Sequence, residues 1–185
     1  MTLNVDYGPM TEIQMQQDEV DYMVKTIEQL NADGLMVEWG SGGSTVKWLE
    51  SMKDNQRLIS IEHTKEWYDK VNDYISIRDD VKDRFTYYHR PELYGLKHGY
   101  ASASEEHPIG LDDYFFPDER IPKADIFFID GIGRATISLL VMLFAEKNDP
   151  AIFIHDYYGR EDWYNWATQF FRKERVGQTL VRLYI

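Results

Sequence analysis

A chain of 185 residues, 43% hydrophobic and 15% aromatic, can bury one substantial core but leaves no room for two full catalytic domains. Its formal charge of −12 repels phosphate backbones, and no basic patch interleaved with aromatics offsets it, so nucleic acid is not an expected partner. The lack of cysteine removes disulfides, thiolate metal sites and cysteine nucleophiles together.

The opening MTLNVDYGPMTEIQ has neither the basic nor the apolar region of a secretory signal. The longest apolar run, ISLLVMLFA at 137 to 145, is too short to span a bilayer. A soluble cytoplasmic protein without a membrane partner is the expectation. Val20, Met23, Val24, Ile27 and Leu30 form one apolar stripe, which predicts a helix over about 11 to 31, closed by a glycine cap in NADG.

Five runs rich in β-branched and aromatic residues then predict strands: LMVEW (35 to 39), RLISIE (57 to 62), FTYYH (85 to 89), DIFFID (125 to 130) and AIFIHD (151 to 156). Several are continuously apolar, as in strands covered on both faces. Helical stretches separate them: STVKWLESMKDN, TKEWYDKVNDYISI and RATISLLVMLFAEKN, with REDWYNWATQFFRKE after the last. This alternation predicts a single α/β domain, a three-layer sandwich with a mainly parallel sheet and helices on both faces. TLVRLYI at the end supplies one further edge strand. Residues 90 to 123 hold four of the six prolines, interrupt the pattern, and read as a long loop or lid on the substrate side.

In a parallel sheet the strand ends line up along one edge, where open α/β sheets bind their ligands. Four strands here end on an acid: Glu38, Glu62, Asp130 and Asp156. The turn that follows the first strand, VEWGSGGST at 37 to 45, is glycine-rich, yet Thr45 stands where a dinucleotide fingerprint needs its last glycine. Glu38 would also sit badly beside a diphosphate, so an NAD-type oxidoreductase is disfavoured. No glycine-lysine-serine/threonine triplet exists for a P-loop. Glu62 lies 22 residues after Gly40, where α/β nucleoside sites keep an acid for the ribose hydroxyls. A nucleoside that is cationic rather than phosphorylated points to S-adenosylmethionine.

VEWGSGGSTVKWL, LISIEHTKEWYDKV, IFFIDGIGR and IFIHDYYGREDWY resemble, in order and approximate spacing, the motifs of Rossmann-like (class I) S-adenosylmethionine-dependent methyltransferases. The likeness is greatest to a branch with motifs such as EYGSGGST, SVEHDPEWY and VDGRxR, and it covers roughly residues 35 to 166. It implies that Glu38, Gly40, Ser41, Gly42 and Ser44 surround the methionine moiety, that Glu62 binds the ribose, that His63 lies beside the adenine and that Asp130 sits near the methyl group. Arg134 and Arg160 match recurrent arginines that could hold a carboxylate, a sulfate or a sugar acid. The sheet of this fold commonly ends in two further strands, and with only TLVRLYI evident the chain is expected to be one strand short.

Methyl transfer needs alignment and exclusion of water, and it needs a base only if the acceptor must lose a proton. Asp130, His155 and Asp156 are the candidates, Asp156 first among them. Asp130 and Asp156 also match two metal-ligand acids of catechol-type relatives, but Tyr157 replaces the asparagine that is their third ligand, so a divalent metal is the lesser alternative. Trp48, Trp67, Trp163 and Trp166 are assigned to helix packing. Tyr94, Tyr100, Tyr114, Phe115 and Phe116 are assigned to the loop and acceptor side. The reading is O-methylation of a small molecule or saccharide. The alternative is an inactive methyltransferase-like binding or assembly module, because fold alone does not fix function.

Overall fold

The computed structural model describes Met10, residues 12 to 90 and residues 114 to 185. Tyr94 and Tyr100, with most of the expected lid, lie outside the described residues.

Helix α1 (Gln17–Glu28) is followed by β1 (Leu35–Trp39), α2 (Gly43–Ser51), β2 (Arg57–Glu62), α3 (Lys65–Ser76) and β3 (Phe85–His89). Further along the chain come β4 (Ile126–Ile129), α4 (Arg134–Phe144), β5 (Ala151–Ile154), α5 (Glu161–Thr168), β6 (Arg172–Arg175) and β7 (Val181–Tyr184). They form a seven-stranded sheet in the order β3-β2-β1-β4-β5-β7-β6. Strands β1 to β5 are mutually parallel, and β7 runs antiparallel to both β5 and β6.

The continuous apolar runs are explained by burial on both faces. Along β4, Phe127 and Ile129 join the core under α4 and α5, while Ile126 and Phe128 join the core under α1, α2 and α3. Period-2 alternation therefore still operates, but both sets of side chains are apolar. Trp48 on α2 meets Phe128 edge-on with ring centroids 5.6 Å apart.

Several expectations need correction. The sheet is not a strand short: RKER, expected to continue a helix, forms β6. Its four side chains are all exposed, so no apolar pattern marks it, and its strand identity lies in backbone pairing of Arg172 to Arg175 with β7. A charged edge of this kind resists pairing with another sheet. Helix α1 begins at Gln17 rather than near residue 11, and Asn31 to Gly34 makes its own turn instead of capping it. Tyr114 and Phe115 belong to the buried core rather than to an open acceptor face, and Ile121–Lys123 is a short 3₁₀ turn. Trp48 is buried, as packing requires, but Trp67, Trp163 and Trp166 are exposed.

Glu19 ties α1 to the last hairpin. Its carboxylate accepts hydrogen bonds from the backbone amides of Thr179 (2.6 Å) and Leu180 (2.9 Å), and from the Thr179 hydroxyl at 3.0 Å. Burial opposes its charge, but these donors outweigh it and hold its pKa below the usual value.

Candidate functional site

The strand order sets β2, β1, β4 and β5 side by side, so the C-terminal ends that carry Glu62, Glu38, Asp130 and Asp156 adjoin one another. After β1 the chain turns sharply at Gly40, whose φ of +90° and whose amide, bonded to the Ile61 carbonyl at 2.9 Å, carry it across β2. A Cβ on Gly40 would lie 2.6 Å from the Gly131 nitrogen, so only glycine lets the turns after β1 and β4 touch. Gly42 differs. Its φ of 172° is ordinary extended backbone, and a Cβ there would meet no protein atom within 4 Å. The space above it is open, which suits the close approach of a ligand.

Gly43 opens α2, and its missing side chain admits the Glu12 carbonyl, 2.2 Å from where a Cβ would be. The segment before α1 thus lies against the turn. A cavity of about 220 Å³ opens there, lined by Ser41 to Ser44 and Asp130 with Glu12, Gln14, Met15 and Trp67. Spacing gave no sign of the contribution from residues 12 to 15, because they were read as helix.

Glu38 is fully buried, and neither of its carboxyl oxygens has a hydrogen-bond partner among the described residues. Burial pushes its pKa up from 4.5 to about 8, and the nearby Thr45 and Ser60 hydroxyls, which favour the ionised form, offset this only in part. Glu62, also buried, has the opposite character. One oxygen accepts from the Ser41 amide (2.7 Å) and the Ser41 hydroxyl (2.9 Å), and the other from the Thr64 amide (2.7 Å), with His63 Nδ1 at 3.1 Å. Burial alone would raise its pKa, but His63 and these amides together lower it. Tyr87 completes the chain with its hydroxyl 2.5 Å from Ser41 Oγ, a partner that sequence spacing did not mark.

At the other end of the edge, His155 Nδ1 lies 2.9 Å from Asp130 Oδ1, and its Nε2 lies 3.9 Å from Asp156 Oδ1. Burial disfavours the imidazolium, yet the Asp130 hydrogen bond and charge, with Asp156, leave its pKa raised. Asp156 adopts φ +54°, a left-handed conformation uncommon for a non-glycine residue and often found where side chains must be aimed. Arg134, on the first turn of α4, points inward: Nη2 is 3.1 Å from Asp130 Oδ1 and Nη1 is 3.5 Å from Asp156 Oδ2. It also donates to the carbonyls of Gly131 (3.0 Å), Asp130 (2.8 Å) and His155. Arg160 is half-exposed and reaches Asp156 Oδ2 at 3.3 Å. The ligand atoms of Asp130, His155 and Asp156 lie within 4.8 Å of one another, close enough to consider a metal ion. Tyr157, the residue after Asp156, is buried, with its hydroxyl on Asn165 and Thr168.

The sequence-derived residues thus divide into two groups. Glu38, Gly40, Ser41, Gly42, Ser44, Glu62 and His63 surround the ends of β1 and β2, while Asp130, Arg134, His155, Asp156 and Arg160 cluster at β4 and β5.

No protein-family model matches this sequence, and no curated protein matches it. Solved structures do. A methyltransferase-like protein of Silicibacter pomeroyi superimposes with a TM-score of 0.74 at 18% identity, over 97% of this chain and 90% of that one. An O-methyltransferase of Bacillus cereus, solved with SAH, gives 0.62 at 12% identity over 96% of this chain and 84% of its own. An RNA methyltransferase of Salinibacter ruber, in complex with S-adenosyl-L-homocysteine, gives 0.53 at 14% identity over 94% of each chain. The fold of this chain is that of the Rossmann-like S-adenosylmethionine-dependent methyltransferases.

Proposed function

We propose that the chain transfers a methyl group from S-adenosylmethionine to an oxygen of a small molecule or saccharide. The observation that carries this reading is the turn at Gly42: a Cβ there would meet no protein atom within 4 Å, so the turn leaves open space for a ligand beside the cavity lined by Ser41 to Ser44 and Asp130. The methionine moiety would lie over Glu38, Gly40, Ser41, Gly42 and Ser44, the ribose on Glu62, the adenine beside His63 and the methyl group near Asp130. That solved neighbours of this fold were crystallised with S-adenosylhomocysteine supports the choice of cofactor.

The reaction is an in-line displacement. An acceptor oxygen attacks the methyl carbon, the carbon–sulfur bond breaks toward sulfur, and the sulfonium leaves as a neutral thioether. The hydroxyl proton must go to a base, and Asp156, or His155 held by Asp130, stands at the correct edge of the sheet. Arg160, half-exposed beside Asp156 and over the Trp163 ring, is the residue to meet a carboxylate, sulfate or sugar acid, while Arg134 braces the site from within. The charge of −12 argues against an RNA acceptor despite the fold shared with an RNA methyltransferase.

Calorimetric titration tests the reading. Both S-adenosylmethionine and S-adenosylhomocysteine should bind, NADH should not, and Gly42→Ala should weaken the nucleosides while the protein stays folded. A folded wild-type chain that binds neither nucleoside overturns it.

A further inference from the structure

We propose that Arg134 is the cation of this sheet edge: it occupies the ground between Asp130 and Asp156 that a divalent metal would need, so the site works without metal. Two acids and a histidine with ligand atoms within 4.8 Å would suit a cation, and the cluster already holds one. The guanidinium lies 3.1 Å from Asp130 Oδ1 and 3.5 Å from Asp156 Oδ2. It is not free to swing away. Its Nε and both Nη groups donate to the carbonyls of Gly131, Asp130 and His155, so its departure would unpair three backbone acceptors in a part of the protein where the Arg134 side chain is only 11% exposed.

The remaining donors do not compensate. Asp130 Oδ1 already faces His155 Nδ1 at 2.9 Å, and Tyr157 is turned into the core. A hard dication wants several oxygens at about 2.0 to 2.6 Å, and here it would have to enter beside a fixed positive charge. Arginine differs from a metal in being permanently protonated and covalently attached, so neither chelators nor pH across the working range removes it. Its task is to hold two neighbouring carboxylates aimed, leaving His155 and Asp156 to take the acceptor's proton. Only this last step rests on the proposed methyl transfer, because the absence of metal binding can be read without turnover.

Manganese(II) chloride is the probe, followed by the loss of its free-ion electron paramagnetic resonance signal. Wild-type protein should leave the signal intact up to about 1 mM metal, the weak end of protein sites for hard cations. Arg134→Met, which removes the charge but keeps the aliphatic stem, should bind one ion at least about tenfold more tightly than wild type. Arg134→Met with Asp156→Asn should lose that binding. Manganese uptake by the wild type that Asp156→Asn abolishes overturns the proposal, as does a folded Arg134→Met with no gain in affinity. If Arg134→Met does not fold, wild-type His155 ring resonances decide: paramagnetic broadening overturns the proposal and its absence supports it. Titration of S-adenosylhomocysteine in the same samples separates failure of this inference from failure of the cofactor reading.

Discussion

Substituting alanine at two glycines of one turn separates a structural requirement from a ligand requirement. At Gly42 the added methyl meets no protein atom within 4 Å, and the extended φ of 172° suits any residue. Alanine is the poorer residue before a helix by about 0.5 to 1 kcal/mol, while the stiffer unfolded chain returns about 0.4 to 1 kcal/mol. The two nearly cancel, and with about 2 to 4 °C per kcal/mol for a domain of this size, the melting temperature should move by less than about 2 °C. A methyl forced into a packed ligand contact costs about 1 to 3 kcal/mol, or about 5- to 150-fold in affinity. Gly42→Ala should therefore melt like wild type but bind S-adenosylhomocysteine at least about fivefold more weakly by calorimetry. Gly40→Ala should do the reverse damage: with φ +90° and backbone only 2.6 Å from the new Cβ, the fold itself suffers. A loss of about 3 kcal/mol, about 6 to 12 °C, is expected there. Wild-type affinity in Gly42→Ala would refute the placement of the ligand on this turn.

Removing Glu19 leaves the amides of Thr179 and Leu180 without their acceptor, so Glu19→Ala should cost about 3 to 5 kcal/mol in chemical denaturation. Because its folded pKa lies below the unfolded one, its contribution is present above the unfolded value of about 4.3 and is lost as pH falls through the folded value; Glu19→Gln should flatten that acid limb of a melting-temperature profile. Glu38 has the opposite sign. With a folded pKa of about 8, it keeps a proton that the unfolded chain releases, so stability is greatest below pH 4.5 on its account and declines as pH rises to about 8. Glu38→Gln should remove that decline and overtake wild type on the alkaline side, and parallel pH profiles for the two proteins would count against a buried, unpaired carboxyl.

The strands β1 to β5 were legible because burial on both faces left continuous apolar runs, and their parallel order followed from alternation with helices. β6 was not, because four exposed charged side chains resemble the polar end of the helix before it. Trp163 and Trp166 misled for a related reason: helical spacing gives a face, but residue type does not say whether that face is covered. At the site, strand-end acids could be placed from topology alone. The inward turn of Arg134 could not, since a guanidinium bound to carbonyls and one in solvent have the same sequence signature. Nor could Tyr87, whose link to Ser41 depends on the relative positions of β3 and the turn after β1.

Glu62 enters any encounter with a nucleoside already satisfied: Ser41 gives it two hydrogen bonds, Thr64 one, and Tyr87 supports Ser41 from behind. Ribose hydroxyls arriving there would exchange partners rather than gain them. Since a typical hydrogen bond is worth about 0.5 to 1.5 kcal/mol net, the balance of such an exchange lies close to zero. An analogue missing one hydroxyl would leave the Ser41 hydroxyl in place and forfeit little. Under the proposed placement, discrimination among nucleosides would fall to the charged end of the ligand, and Glu62 would serve chiefly to set register along the sheet edge.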